Sequence, residues 1–183
     1  MLNIDDSVLV IIDVQDRLVL ASKYGEEVAQ NTAKLANATK ILNIPTILTE
    51  QYPQGLGATV SNVKAALSNT ITTIEKTSFS ALLEPNFKNE IDRLKDLGKK
   101  QIVICGIETH ICVLQTAADL ITQGFEVYVV KDACASRNKK EYKTGLELLK
   151  QYGAKITCIE IALFEWLKTA KHPNFKEIQT LIK

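Results

Sequence analysis

Six short runs of apolar, often β-branched residues recur along this chain, separated by segments of helical periodicity, and that alternation constrains the fold more than any other feature. The runs cover residues 8–13, 45–49, 71–75, 101–105, 126–130 and 155–159. Each is nearly continuously hydrophobic rather than alternating, which suits strands buried on both faces of a parallel sheet. Between the first two, Val28, Ala29, Ala33, Leu35, Ala36, Ala38, Ile41 and Leu42 form a broad helical stripe over residues 26–42. Segments 86–97, 109–123, 139–152 and 162–170 also read as helices. Gly98, Gly124 and Gly153 follow three of them, where a left-handed C-terminal residue belongs. The pattern predicts parallel βαβ units with right-handed crossovers, an α/β fold built as a three-layer α/β/α sandwich.

At 183 residues the chain is expected to form a single domain over residues 1–183. Residues 51–61, with Pro53, Gly55 and Gly57, read as a long irregular loop of the kind that carries function. A last short helix, 174–182, is expected to cap a sheet edge or meet another subunit.

A formal net charge of +1 supplies no field for nucleic acid or an acidic membrane surface. Four cysteines lack CxxC spacing and the histidines are only His110 and His172, which argues against structural zinc. No apolar run reaches membrane-spanning length and no leader pattern opens the chain. The expectation is a cytoplasmic, reduced protein with a small-molecule partner, no membrane, and no nucleic acid.

In open parallel sheets ligands bind beyond the C-terminal strand ends. The first run ends at Asp13, followed by Gln15; the second delivers Thr49, Glu50, Gln51 and Tyr52; the third delivers Lys76 and then Phe79. The fourth delivers Gly106 to Cys112, and the fifth Asp132 to Arg137. An acid, a lysine and a cysteine thus reach one crevice from three strands. Cys112 falls at a helix start, where free N–H groups and the dipole favour a thiolate and would meet an oxyanion. Asp13 is the candidate base, since His110, two positions from Cys112, points elsewhere on a helix. Lys76 and the helix end are expected to lower the thiol pKa and Asp13 to raise it. Each residue has a plainer reading: packing for Cys112, a loop or cap residue for Asp13, a solvated lysine for Lys76. Their joint placement favours catalysis. Cys105 and Cys158, inside strand patterns, read as inert core, and Cys134 as a packed loop residue. Gln15, Gln51, Tyr52, Phe79 and Ser136 are candidate pocket residues, and Trp166 reads as core.

Three motifs carry a family resemblance: Val10-Ile11-Ile12-Asp13-Val14-Gln15, Glu75-Lys76-Thr77-Ser78-Phe79-Ser80 and Gly106-Ile107-Glu108-Thr109-His110-Ile111-Cys112-Val113. Thr116-Ala117-Ala118-Asp119-Leu120 and Val130-Lys131-Asp132-Ala133-Cys134-Ala135-Ser136-Arg137 extend it, in order, over nearly the whole chain. The chain resembles the isochorismatase-like cysteine hydrolases, the superfamily of nicotinamidases and N-carbamoylsarcosine amidohydrolase. Its segment from Thr49 to Gly57 is most similar to the isochorismatase-domain-containing subgroup. The resemblance implies a Rossmann-like six-stranded parallel sheet, a catalytic triad of Asp13, Lys76 and Cys112, and a cis peptide at Ile107–Glu108. It further implies an oxyanion hole from the N–H groups of Glu108 and Cys112, and a homo-oligomer, a dimer or tetramer. Nicotinamidases carry a metal site with two histidines after the second strand; residues 50–57 have no histidine, so no metal is carried over, and no cofactor. The implied reaction is cleavage of a small amide or related non-peptide C–N bond through a thioester. Vinyl-ether hydrolysis with Asp13 as acid, or a non-catalytic redox-sensing or ligand-binding role, are the alternatives.

Overall fold

Backbone N–H and C=O groups in apolar runs need partners away from water, and here the runs supply them to one another. In the computed structural model, which describes residues 1–68, 71 and 73–183, six strands hydrogen-bond in the order β3-β2-β1-β4-β5-β6. They are β1 Ser7–Ile12, β2 Thr46–Gln51, β3 Thr73–Lys76, β4 Gln101–Ile107, β5 Glu126–Ala135 and β6 Lys155–Thr157. Every pairing is parallel. The third expected run, 71–75, becomes the edge strand β3 and extends to Lys76; its Thr72 lies outside the described residues. β1 and β4, at the centre, are buried throughout.

The helices are α1 Asp16–Ala21, α2 Gly25–Ile41, α3 Pro53–Leu56, α4 Ser61–Ala66, α5 Pro85–Asp96, α6 Leu114–Thr122, α7 Lys139–Gln151, α8 Ile159–Leu167 and α9 Phe175–Thr180. The chain leaves β1 toward β2 on one side and β4 toward β5 on the other. Right-handed crossovers therefore put α2 and α6 on opposite faces of the sheet. α2 packs with α1, α4 and α8, and α6 packs with α7. Trp166 of α8 is buried, and its indole N–H donates to Ser7 Oγ at 2.9 Å.

The structure departs from expectation in four places. β5 runs on to Ala135 instead of stopping at residue 130. Ile104 pairs with Val129 but Gly106 with Cys134, so two steps along β4 span five along β5 and three residues bulge out. The bulge is pinned: Tyr142 Oη donates to Lys131 O at 2.8 Å, Asn31 Nδ2 to Asp132 O at 2.7 Å, and Ile159 N to Asp132 Oδ1 at 3.0 Å. Cys134 is therefore a buried strand residue rather than a loop residue. Cys158 is not in a strand: it is the partly exposed residue before α8, which starts at Ile159 rather than 162. Residues 51–61 are not irregular, since they hold α3 and a bridge between Thr59 and Gln15. α9 settles on α8, with the Phe175 and Phe164 ring centroids 6.3 Å apart and Ile178 buried.

Candidate active site

The strand order sets four side chains in a row. β3, β2, β1 and β4 end at Lys76, Gln51, just before Asp13, and just before the segment that leads to Cys112. Asp13 leaves β1 in a left-handed conformation, φ 51°, which aspartate tolerates better than most residues. Its side chain is fully buried, and Thr49 Oγ1 donates to its Oδ1 at 2.7 Å. Lys76 reaches across the end of β2, and its ammonium meets Asp13 Oδ2 at 2.7 Å with both side chains sealed from solvent. That contact is a buried ion pair, and the Cys112 thiol interacts with the same carboxylate. The ammonium also donates to Gln51 Oε1 at 2.5 Å, Ser78 O at 3.2 Å and Phe79 O at 3.4 Å.

Cys112 comes from the other side. Between β4 and α6 the chain makes a π-helical turn, Thr109–Val113, with Val113 N bonded to Glu108 O at 3.2 Å. Such wide turns are frequent at functional sites. The approach needs Gly106: its φ is +130°, and a Cβ there would lie 1.9 Å from Ile12 O. The Ile107–Glu108 peptide is cis. Glu108 Oε1 accepts from Arg137 N at 3.0 Å and pairs with Arg137 Nε at 3.2 Å. His110 turns from the cysteine to the end of β5, Nδ1 lying 2.9 Å from Ser136 Oγ. Gly145 of α7 lets the two segments touch, since a Cβ there would be 3.0 Å from His110 Cα.

Burial raises the Asp13 carboxyl above its ordinary pKa, against the opposing pull of Lys76 and Thr49. The Cys112 thiol, only 6% exposed, is pushed up to about 12, by burial first and the Asp13 carboxylate second, while Lys76 pulls it down. The sequence expectation had the helix end and the lysine lowering the thiol pKa; burial of the sulfur, and then the Asp13 carboxylate beside it, act against them and favour the thiol form. Cys105, fully buried, is also pushed up to about 12, by desolvation.

The five pocket candidates separate. Tyr52 and Phe79 stand on the surface at 56% and 54% exposure, beside the ends of β2 and β3. Gln15 is buried, with Nε2 donating to Gln51 O at 3.0 Å and Gly57 O at 2.6 Å and Oε1 accepting from Gln51 N at 2.7 Å. Gln51 is committed to Lys76 and, through Nε2, to Thr77 O at 2.8 Å. Ser136 is buried against His110, its carbonyl accepting from Ser22 Oγ at 3.3 Å. These polar side chains near strand ends satisfy neighbouring backbone or side-chain groups, which a one-dimensional reading does not reveal. Thr49, expected at the end of the second strand without a role, holds Asp13; Glu84 was not singled out, and its Oε1 accepts from Thr77 N and Ser78 N at 3.0 and 2.9 Å. Among the described residues, no three His, Cys, Asp or Glu side chains cluster to hold a metal ion, and no helix is long and apolar enough to cross a membrane.

A model of the isochorismatase domain matches residues 7–161. The chain belongs to the isochorismatase family. Isochorismatase domain-containing protein 2 of Xenopus laevis is 40% identical over 176 residues, covering 96% of this chain and 83% of that protein. Among solved structures, the MAR1 ribonuclease of Caenorhabditis elegans has a TM-score of 0.93 at 36% identity, covering 99% of this chain and 91% of that one. The YcaC gene product of Escherichia coli, an octameric hydrolase of unknown specificity, has a TM-score of 0.85 at 25% identity, covering 98% of this chain and 94% of that one. The isochorismatase-family fold is that of a hydrolase.

Proposed function

We propose that this family member is a cysteine hydrolase that cleaves a small amide or related C–N bond through a thioester. The observation that carries the reading is the sealed Lys76–Asp13 pair, 2.7 Å apart, with the Cys112 thiol beside both charges. A buried pair of this kind is weak evidence for stability, and a base, a cation and a nucleophile at one point is the arrangement covalent catalysis requires. Because the resting sulfur is a thiol, proton transfer to Asp13 accompanies attack on the bound carbonyl rather than preceding it. The electron pair of the S–H bond forms the C–S bond, and the carbonyl oxygen becomes an oxyanion facing the N–H groups of Glu108 and Cys112. Collapse expels the amine, which takes the proton from Asp13. Water, deprotonated by Asp13, then attacks the thioester and releases the acid and the thiol. Acid–base steps of this kind contribute about 10²–10⁴-fold.

A small substrate fits Cys112 and Lys76 at 6% and 2% exposure. The ribonuclease named among the relatives acts in its own right; here a +1 net charge and a sunken nucleophile support a small molecule over RNA. We read residues 1–183 as one domain and the protein as a homo-oligomer; exposed Leu20, Ile161 and Phe164 offer apolar surface for association. Turnover of a panel of small amides by wild type and Cys112→Ala tests the mechanism. The variant should fold and lose turnover. Retained amide turnover would exclude a thioester; vinyl-ether hydrolysis predicts instead that neither protein cleaves any amide of the panel.

A further inference from the structure

Lys76 is a long side chain at the end of an edge strand, and nothing in its covalent structure aims it at Asp13. Its aim comes from acceptors around the ammonium, two of which are the carbonyls of Ser78 and Phe79 in the turn that follows β3. A carbonyl can hold a lysine only if the turn that carries it is held. At the far end of this segment Ser80 Oγ donates to Asp119 Oδ2 at 2.6 Å, and Ala81 N donates to Thr116 Oγ1 at 3.0 Å, both on α6. At the near end the hold comes from Glu84. This residue precedes Pro85 at the start of α5, yet its side chain makes no cap bond to that helix. Oε1 turns back instead and takes the N–H groups of Thr77 and Ser78 at 3.0 and 2.9 Å. Those amides hold the carboxyl below its usual range, led by the Ser78 bond.

We infer that Glu84 is a positioning residue for the reaction: by pinning the Thr77 and Ser78 amides it aims the Ser78 and Phe79 carbonyls at the Lys76 ammonium, and so fixes that ammonium against Asp13 and Cys112. Glu84 touches neither the nucleophile nor the base. It acts through reach and through acceptance of two N–H bonds, rather than through its charge. This role rests on the proposed function, because it matters only if Lys76 tunes Cys112.

The test reads Cys112 directly. Alkylation by iodoacetamide is followed by peptide mass spectrometry from pH 7 to 10 in wild type and in Lys76→Ala, Glu84→Ala, Glu84→Gln and Glu84→Asp, with urea melts to confirm folding. One pKa unit of lost thiolate stabilisation is a tenfold loss of rate at fixed pH. Lys76→Ala should therefore alkylate about tenfold slower or more, and Glu84→Ala should follow it most of the way. Glu84→Gln keeps both the reach and the acceptor oxygen and should restore a rate near wild type. Glu84→Asp keeps the charge but is one methylene short, and should stay slow. If Lys76→Ala slows alkylation while Glu84→Ala matches wild type, the positioning role falls and the triad stands. If Lys76→Ala itself matches wild type, the triad reading falls and takes the positioning role with it. Should Glu84→Ala not fold, the remaining pair still decides: aspartate fast and glutamine slow would mean that charge acts rather than reach, and would overturn the proposal.

Discussion

Replacing Lys76 by Met removes the ammonium and keeps most of the volume, which isolates the buried carboxylate. With the charges 2.7 Å apart, an effective dielectric of about 20 puts their attraction at about 6 kcal/mol. Desolvation of the two ions offsets much of that, at several kcal/mol each, so the intact pair contributes little net. Breaking it differs, because Asp13 is left at full burial without its cation. The expected loss is about 3–5 kcal/mol, or a fall in Tm of about 6–20 °C for a chain of this length. The sign of the pH dependence follows from the raised carboxyl. Where the folded pKa lies above the unfolded one, the folded state binds more protons. The stabilisation is complete below the unfolded pKa and is lost as pH rises through the folded one. Without its ammonium Asp13 shifts further up, so the deficit of Lys76→Met should deepen from pH 5 to pH 8, at up to about 1.4 kcal/mol per unit. Urea melts at several pH values read this directly, and Asp13→Asn combined with Lys76→Met should regain most of the loss. A single variant within about 1 kcal/mol of wild type at pH 8, with no added pH slope, would refute a charged, sealed pair.

Two other outcomes follow from the geometry. Alkylation of wild-type Cys112 should climb steadily through pH 10 with no plateau near the ordinary thiol value, since burial and Asp13 push its pKa to about 12; a plateau below pH 9 in the rate profile would contradict that. Gly145→Ala would set a methyl 3.0 Å from His110 Cα, an overpacking cost of about 1–3 kcal/mol, and displace the π-helical turn; melts should show the modest loss and Cys112 alkylation should change with it.

Much of the scaffold was legible because parallel strands buried on both faces write themselves as unbroken apolar runs, and because glycine after a helix has a steric reason to be there. Lys131 and Asp132 interrupt the fifth apolar run and hide the rest of β5; they bulge outward and use backbone and capping bonds that hydropathy does not register. Cys158 reads as a strand residue because the following α8 carries Ile159, Ile161, Ala162, Leu163, Phe164, Trp166 and Leu167, an apolar helix whose start has no period to mark it. At the site, strand ends foretold which residues would gather, since sheet order is a property of topology. They did not foretell which of the polar groups would be consumed as struts, as Gln15 and Gln51 are, because that depends on where an amide points. Glu84 left no trace at all, lying eight residues beyond Lys76 in the chain.

The left-handed backbone at Asp13, φ 51°, narrows what that position can become. Asparagine, like aspartate, sits comfortably there, so Asp13→Asn keeps the turn while leaving the buried Lys76 ammonium without its counter-charge. Alanine would change the chemistry and the turn together. Glutamate, the obvious alternative acid, would add a methylene inside a fully closed space while giving up aspartate's ease in that turn. Asp13→Glu therefore keeps a carboxylate at a cost in both packing and turn geometry, a double constraint that the exposed Phe79 does not carry.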